Sequence, residues 1–132
     1  MATATEQKLH AKTLSTSLTV DDVDKSIRFF EGLGFTIGER WEDAGKLLGV
    51  MMQAGDVEIG LSQDDWKKGR NRQKGVGISL YIDTAQDIDQ IAANAKANGV
   101  KLDSEPHDSE WGPRMFEVTE PSGFKISFMK EK

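Results

Sequence analysis

The sequence predicts an α+β fold built from two tandem βαβββ modules. Three observations lead there. A strand, helix and three-strand order occurs twice along the 132 residues. Ser17-Leu18-Thr19-Val20-Asp21 is echoed by Ser79-Leu80-Tyr81-Ile82-Asp83 at the matching place in the second half. The stretch Trp111–Phe128 reads as a hairpin, with a Glu120-Pro121-Ser122-Gly123 turn between strands Arg114–Thr119 and Phe124–Met129. Proline presets φ for such a turn, and glycine accepts the positive φ that reverses the chain.

Taken in order, residues 1–12 read as a polar N-terminal tail without the apolar core of a secretory signal. The first module spans residues 13–62. In Thr13–Val20, Leu14, Leu18 and Val20 alternate with Ser15, Ser17 and Thr19, the period of a two-faced strand. Asp21 and Asp22 are N-cap candidates for a helix carrying Val23, Ile27 and Phe30, ended by Gly32 and Gly34. Strands follow at Phe35–Trp41, Lys46–Gln53 and Val57–Ser62. Residues 63–75 are polar and rich in Lys and Arg, and are expected to be a solvated linker.

The second module spans residues 76–130. Val76–Ile82 alternates like the first strand, and Thr84 and Asp87 open a helix with Ile88, Ile91, Ala92 and Ala95 on its apolar stripe. Gly99 ends that helix, and strands are expected at Val100–Asp103, Met115–Thr119 and Phe124–Met129. Ser104–Glu110 is expected to be a loop.

Composition narrows function. The chain has no cysteine, which removes disulfides, zinc-thiolate sites and cysteine nucleophiles. The net charge of −5 argues against nucleic acid as a partner. No apolar run is long enough to cross a bilayer, so no membrane partner is expected and the cytoplasm is the expected location.

The two strand faces differ. Leu14, Leu18, Val20, Ile59, Leu61, Val76, Ile78, Leu80, Ile82, Ile126 and Phe128 belong under the helices. The other face carries Ser15, Ser17, Thr19, Glu58, Gly60, Ser62, Gly77, Ser79, Tyr81, Lys125, Ser127 and Met129. A solvated face would carry more long charged side chains than glycine and serine. Small residues there leave room for a ligand, and glycines inside strands mark close approach.

SLTVDDVDKSIRFFEGLGF at Ser17–Phe35, SLYID at Ser79–Asp83 and WGPRMFEVTEPSGFKISF at Trp111–Phe128 together resemble the vicinal oxygen chelate superfamily of glyoxalase I, bleomycin resistance proteins, fosfomycin resistance proteins and extradiol dioxygenases. Glu120 stands where that family's hairpin has Asp. The resemblance implies that the curved mixed sheets surround an open half-barrel cavity, and that the chain pairs as a homodimer. It also places the divalent-metal ligand positions at Ser15, Gly60, Gly77 and Ser127. Glycine coordinates nothing and neutral hydroxyls are poor ligands for Zn, Ni, Mn or Fe. The expectation is therefore no metal and no cofactor, with glyoxalase I and extradiol dioxygenase activity disfavoured.

The residues expected to meet a small-molecule ligand are Trp111, Met115, Tyr81, Met51, Trp41, Ser79, Ser127 and Glu58. Aromatic rings stack on planar compounds, and thioethers line adaptable pockets. Arg114 is expected to pair with Glu117 or Glu120, with clamping of an anionic ligand group as the alternative, and no catalytic residue is assigned. Metal-free binding of a planar or aromatic compound is the leading expectation. The alternative is an enzyme of the same superfamily with a metal-independent site, for which Tyr81 with Glu58, or His107, would supply acid–base groups.

Overall fold

The computed structural model describes residues 8–131. Up to residue 7, the expected tail lies outside the described residues; residues 8–12 are exposed and form no helix or strand. The first module contains β1 (Thr16–Val20), α1 (Val23–Gly32), β2 (Thr36–Asp43), β3 (Lys46–Ala54) and β4 (Val57–Gln63). The second contains β5 (Ser79–Thr84), α2 (Ile88–Ala97), β6 (Ser104–Asp108), β7 (Arg114–Thr119) and β8 (Lys125–Lys130). Each module makes its own curved, unclosed mixed sheet, ordered β1-β4-β3-β2 and β5-β8-β7-β6. In both, the first strand runs parallel to the last and the other pairs are antiparallel.

The helices start and stop by the same chemistry. The Asp22 carboxylate accepts from the amides of Asp24 and Lys25, and that of Asp87 from Asp89 and Gln90. Each fills two of the donors that a helix start leaves open. At the exits, Phe35 N–H donates to Phe30 O and Gly34 N–H to Glu31 O; Val100 N–H donates to Ala95 O and Gly99 N–H to Lys96 O. Gly34 and Gly99 take positive φ, +104° and +86°. Both ends are Schellman motifs, whose following residue packs back on the helix.

That motif explains the main difference from the expected elements. Val100 is buried because it closes the α2 exit, as Phe35 closes that of α1, and not because it opens a strand. The strand instead is β6, which contains Pro106 and lies where a loop was expected at Ser104–Glu110. An edge strand tolerates proline, since one side of its backbone needs no partner. The first strands are also shorter than expected. Leu14, Val76 and Ile78 precede β1 and β5 and are exposed rather than packed in the core.

One core joins both modules. Leu18, Val50, Met52, Ile59 and Leu61 pack under Val23, Ile27 and Phe30 of α1. Phe116, Val118, Ile126 and Phe128 pack under Ile88, Ala92 and Ala95 of α2. Phe116 and Phe128 stack with ring centroids 5.1 Å apart. The helices touch each other, and a methyl at Gly32 would sit 2.7 Å from Val100 Cγ2, so only hydrogen there admits the second module.

A polar clasp crosses the same junction. Glu120, in the β7–β8 turn and 1% exposed, accepts from the hydroxyl of buried Ser26 on α1 and from the Ser122 amide at 2.6 Å. Ser122 Oγ in turn accepts from Asp21 N–H at 2.8 Å. Lys74, with a side chain only 5% exposed, bonds Asp21 and, at 2.9 Å, Asp64. Arg72 and the Trp66 amide also reach Asp64, at 2.8 and 2.9 Å. The segment between the modules is thus pinned by ion pairs where its composition implied a solvated linker. Gly75 lies so close to the β7–β8 turn that a Cβ would fall 2.2 Å from Gly123 O.

The two buried carboxylates respond to pH in opposite senses. Burial raises Glu120 above its ordinary value, against the Ser26 and Ser122 hydrogen bonds. The folded state therefore binds that proton more tightly, and this contribution to stability declines as pH rises through the interval. Asp64 is held down to about 2, chiefly by the Lys74 hydrogen bond and then by the Trp66 amide. Its contribution is complete above 3.8 and is lost as pH falls from 3.8 toward 2. Asp64→Asn is expected to flatten the acid limb of the stability curve between those values in urea titrations. Ser26→Ala leaves a buried carboxyl short of a donor and is expected to cost about 1–3 kcal/mol at neutral pH by the same method.

Candidate functional site

The strand faces turned away from the helices carry the candidate residues, and the two sheets present them differently. On the first sheet, cross-strand register aligns Ser17 with Gly60, Gly60 with Met51, and Ser62 with Gly49, which faces Trp41. These residues, with Ser15, Thr16 and Leu61 but excluding Gly49, enclose a cavity of about 300 Å³. Gly49 is the residue that sequence reasoning missed. A methyl there would lie 3.2 Å from Trp41 Cε3 and 2.9 Å from Leu61 O. Its hydrogen lets the indole lie against the strand as one wall. Gly60 has ordinary space: a methyl there would lie 3.6 Å from its nearest neighbour, so its bareness leaves the floor open and is not forced by packing.

On the second sheet the same face is filled. Met115 pairs with Met129 across β7 and β8, and both are buried. Ser127 is buried in register between Tyr81 and Glu117. Tyr81 is 60% exposed, and Ser79 starts the exposed edge of β5. His107 lies on β6 opposite Met115, rather than in a loop. Of the expected ligand residues, the structure therefore brings Trp41 and Met51 into one cavity. Glu58 is on the same sheet, opposite Gln53 toward the β3–β4 turn. Ser79, Tyr81, Met115 and Ser127 belong to the second sheet, and Trp111 to the exposed β6–β7 connection.

The positions where the resemblance places metal ligands do not suit a divalent ion. Gly60 has no donor atom, and Gly77 lies before β5 at φ +76° instead of on the strand. Ser15 and Ser127 offer neutral hydroxyls. Among the described residues, no three His, Asp or Glu side chains are gathered closely enough to hold a metal.

Arg114 is occupied elsewhere. Its guanidinium bonds both oxygens of Asp89, at 2.7 and 2.8 Å, and Asp108 at 3.1 Å, so its partners are neither Glu117 nor Glu120. The Asp89 and then the Asp108 hydrogen bonds raise its pKa, while Arg114 lowers that of Asp89. It fastens β7 to the start of α2.

A family model described as the Glyoxalase/Bleomycin resistance protein/Dioxygenase superfamily matches residues 12–128. The chain belongs to this superfamily. Solved structures share the fold at low identity. TioX from Micromonospora sp. ML1 is 16% identical, with a TM-score of 0.73 over 92% of this chain and 100% of that one. A superfamily member from Sphaerobacter thermophilus is 22% identical, with a TM-score of 0.71 over 92% and 98%. A hypothetical protein from S. aureus is 20% identical, with a TM-score of 0.71 over 92% and 95%. No curated protein sequence matches. The superfamily hosts many chemistries on one scaffold, so function has to be argued from the cavity. Among the described residues, no helix is long and apolar enough to cross a membrane.

Arg114→Ala is expected to lower the melting temperature by an amount that shrinks as salt is raised, because its pairs are partly exposed.

Proposed function

We propose that the protein binds a planar or aromatic small molecule on the outer face of its first sheet, without a resident metal. The observation that carries this is the Trp41 indole laid over Gly49, beside Met51 and above the bare floor at Gly60. A flat ligand would stack on the indole and meet the thioether, contacts that favour apolar rings. Ser15, Ser17 and Ser62 line the same space and offer hydroxyls to polar substituents. The proposed role is sequestration or carriage in the cytoplasm, supported by a lining of aromatic, thioether and hydroxyl groups that suits holding a ligand.

The proposed working form is a homodimer. Val76, Ile78, Tyr81 and Trp111 are large, exposed and all on the second module. Exposed apolar side chains in such number favour a protein contact. In that form Trp111 and Tyr81 serve the interface or complete a cavity with the partner.

A second reading, metal-independent acid–base catalysis, is favoured by one observation. His107 and Glu117 share the outer face of the second sheet, on neighbouring strands with Tyr81 beyond Ser127. Turnover lost on His107→Gln would support that reading against simple binding.

The test of the binding reading is a titration with fused-ring aromatic compounds followed by tryptophan fluorescence. Trp41→Ala is expected to remove the ligand-dependent quenching. Gly60→Leu is expected to weaken binding at least about tenfold with little change in melting temperature, because it fills the cavity from a site that tolerates a side chain. Quenching that survives both changes would overturn the site. One tightly held Zn, Ni, Mn or Fe ion per subunit, found by elemental analysis, would overturn the metal-free reading.

A further inference from the structure

A second cavity lies away from the sheet faces. It is a crevice of about 750 Å³ between the modules, on the helix side. Leu33, Phe35, Ile91 and Phe128 give it an apolar floor. Its size falls within the range of about 300–1,000 Å³ common for small-molecule sites. None of the residues that line the first-sheet cavity contributes to it.

Its charge is one-sided. Asp56, Asp83 and Glu131 line it, and among the described residues no Lys, Arg or His does. Both helices also end there, with Leu33 as the cap of α1 and Asn98 as the cap of α2 on its wall. A helix C-terminus carries partial negative charge from its aligned peptide dipoles. Asn98 Nδ2 donates to Gly32 O at 3.2 Å, which fixes the two exits side by side. Two cations of the surrounding elements are paired, one of them with carbonyls of the crevice wall. Lys96 pairs with Glu105 at 2.7 Å, and α1 has no basic residue in its last turn. The Lys130 ammonium is bonded to the carbonyls of Ala85 and Gln86 and lines a separate cavity beside Arg114.

We propose that this crevice is a second binding site, for a small organic cation: an amine carried on an alkyl or aryl body. The apolar floor takes the body. The rim carboxylates and the two helix ends take the charge, and no cation among the described lining residues opposes it.

The test titrates 2-phenylethylamine into isotope-labelled protein, with 2-phenylethanol and phenylacetate as neutral and anionic controls of the same size. The amine is expected to shift the amides of Gly34, Gly55, Thr84 and Asn98 saturably, and to bind more weakly at about 0.5 M salt. The triple variant Asp56→Asn, Asp83→Asn, Glu131→Gln, at three exposed positions, is expected to weaken it about tenfold. Asn94→Trp, from an exposed α2 position on the wall, is expected to abolish it by filling the space. Equal binding of the alcohol, unchanged affinity in the triple variant, or shifts confined to Ser17 and Met51 would each overturn the proposal.

Discussion

The structure depends on a buried carboxyl. Each module has its own sheet and helix, and among the described residues no strand pairing joins the two sheets. What fixes one module against the other is the shared apolar core, the hydrogen bonds Asp21 to Ser122 and Asn98 to Gly32, and the buried clasp from Glu120 to Ser26. A buried carboxyl is costly unless its oxygens are filled, and here one takes a hydroxyl from the other module and one an amide from its own turn. Apolar packing alone tolerates sliding; a satisfied buried polar pair does not. The clasp therefore sets the angle between modules, and with it the width of the crevice.

Clasp and crevice lie at opposite ends of the helices. Ser26 is in the first half of α1, while Gly32 and Leu33 at its exit line the crevice. Asp21, Lys74 and Asp64 extend the polar contact along the entry side. The entry side is closed by charge pairs, and the exit side stays open. Openness there is a consequence of where the pinning residues fall in the repeat.

The fold class was legible because the module is written twice. Alternation in Ser17–Val20 and Ser79–Ile82, aspartate caps and glycine exits are local signals, and each survives in the structure. The misplaced strand at Val100 shows the limit. A buried valine after a helix reads the same whether it closes the helix or opens a strand, and only the Schellman bonds separate the two. The candidate cavity was half legible. Gly60 and the serines followed from face periodicity, and Trp41 and Met51 from the stacking and lining chemistry of their side chains, whereas the role of Gly49 depends on a bulged register between β2 and β3 that no spacing rule reveals. The crevice was invisible, because its residues come from helix ends and turns of both modules.

The parallel pairing of first and last strands also bears on how the chain assembles. Among the described residues β1 pairs with β4 alone, and β5 with β8 alone. The central strands of a module form local hairpins, but its opening strand waits until the closing one is available. The ordering cost of that loop falls late in each module. Asp64 and Lys74 come after β4 and before β5 in the sequence, while Glu120 arrives only in the turn before β8. Docking of the halves is thus tied to completion of the second sheet, and the polypeptide gains its fixed shape only when its last strand pairs.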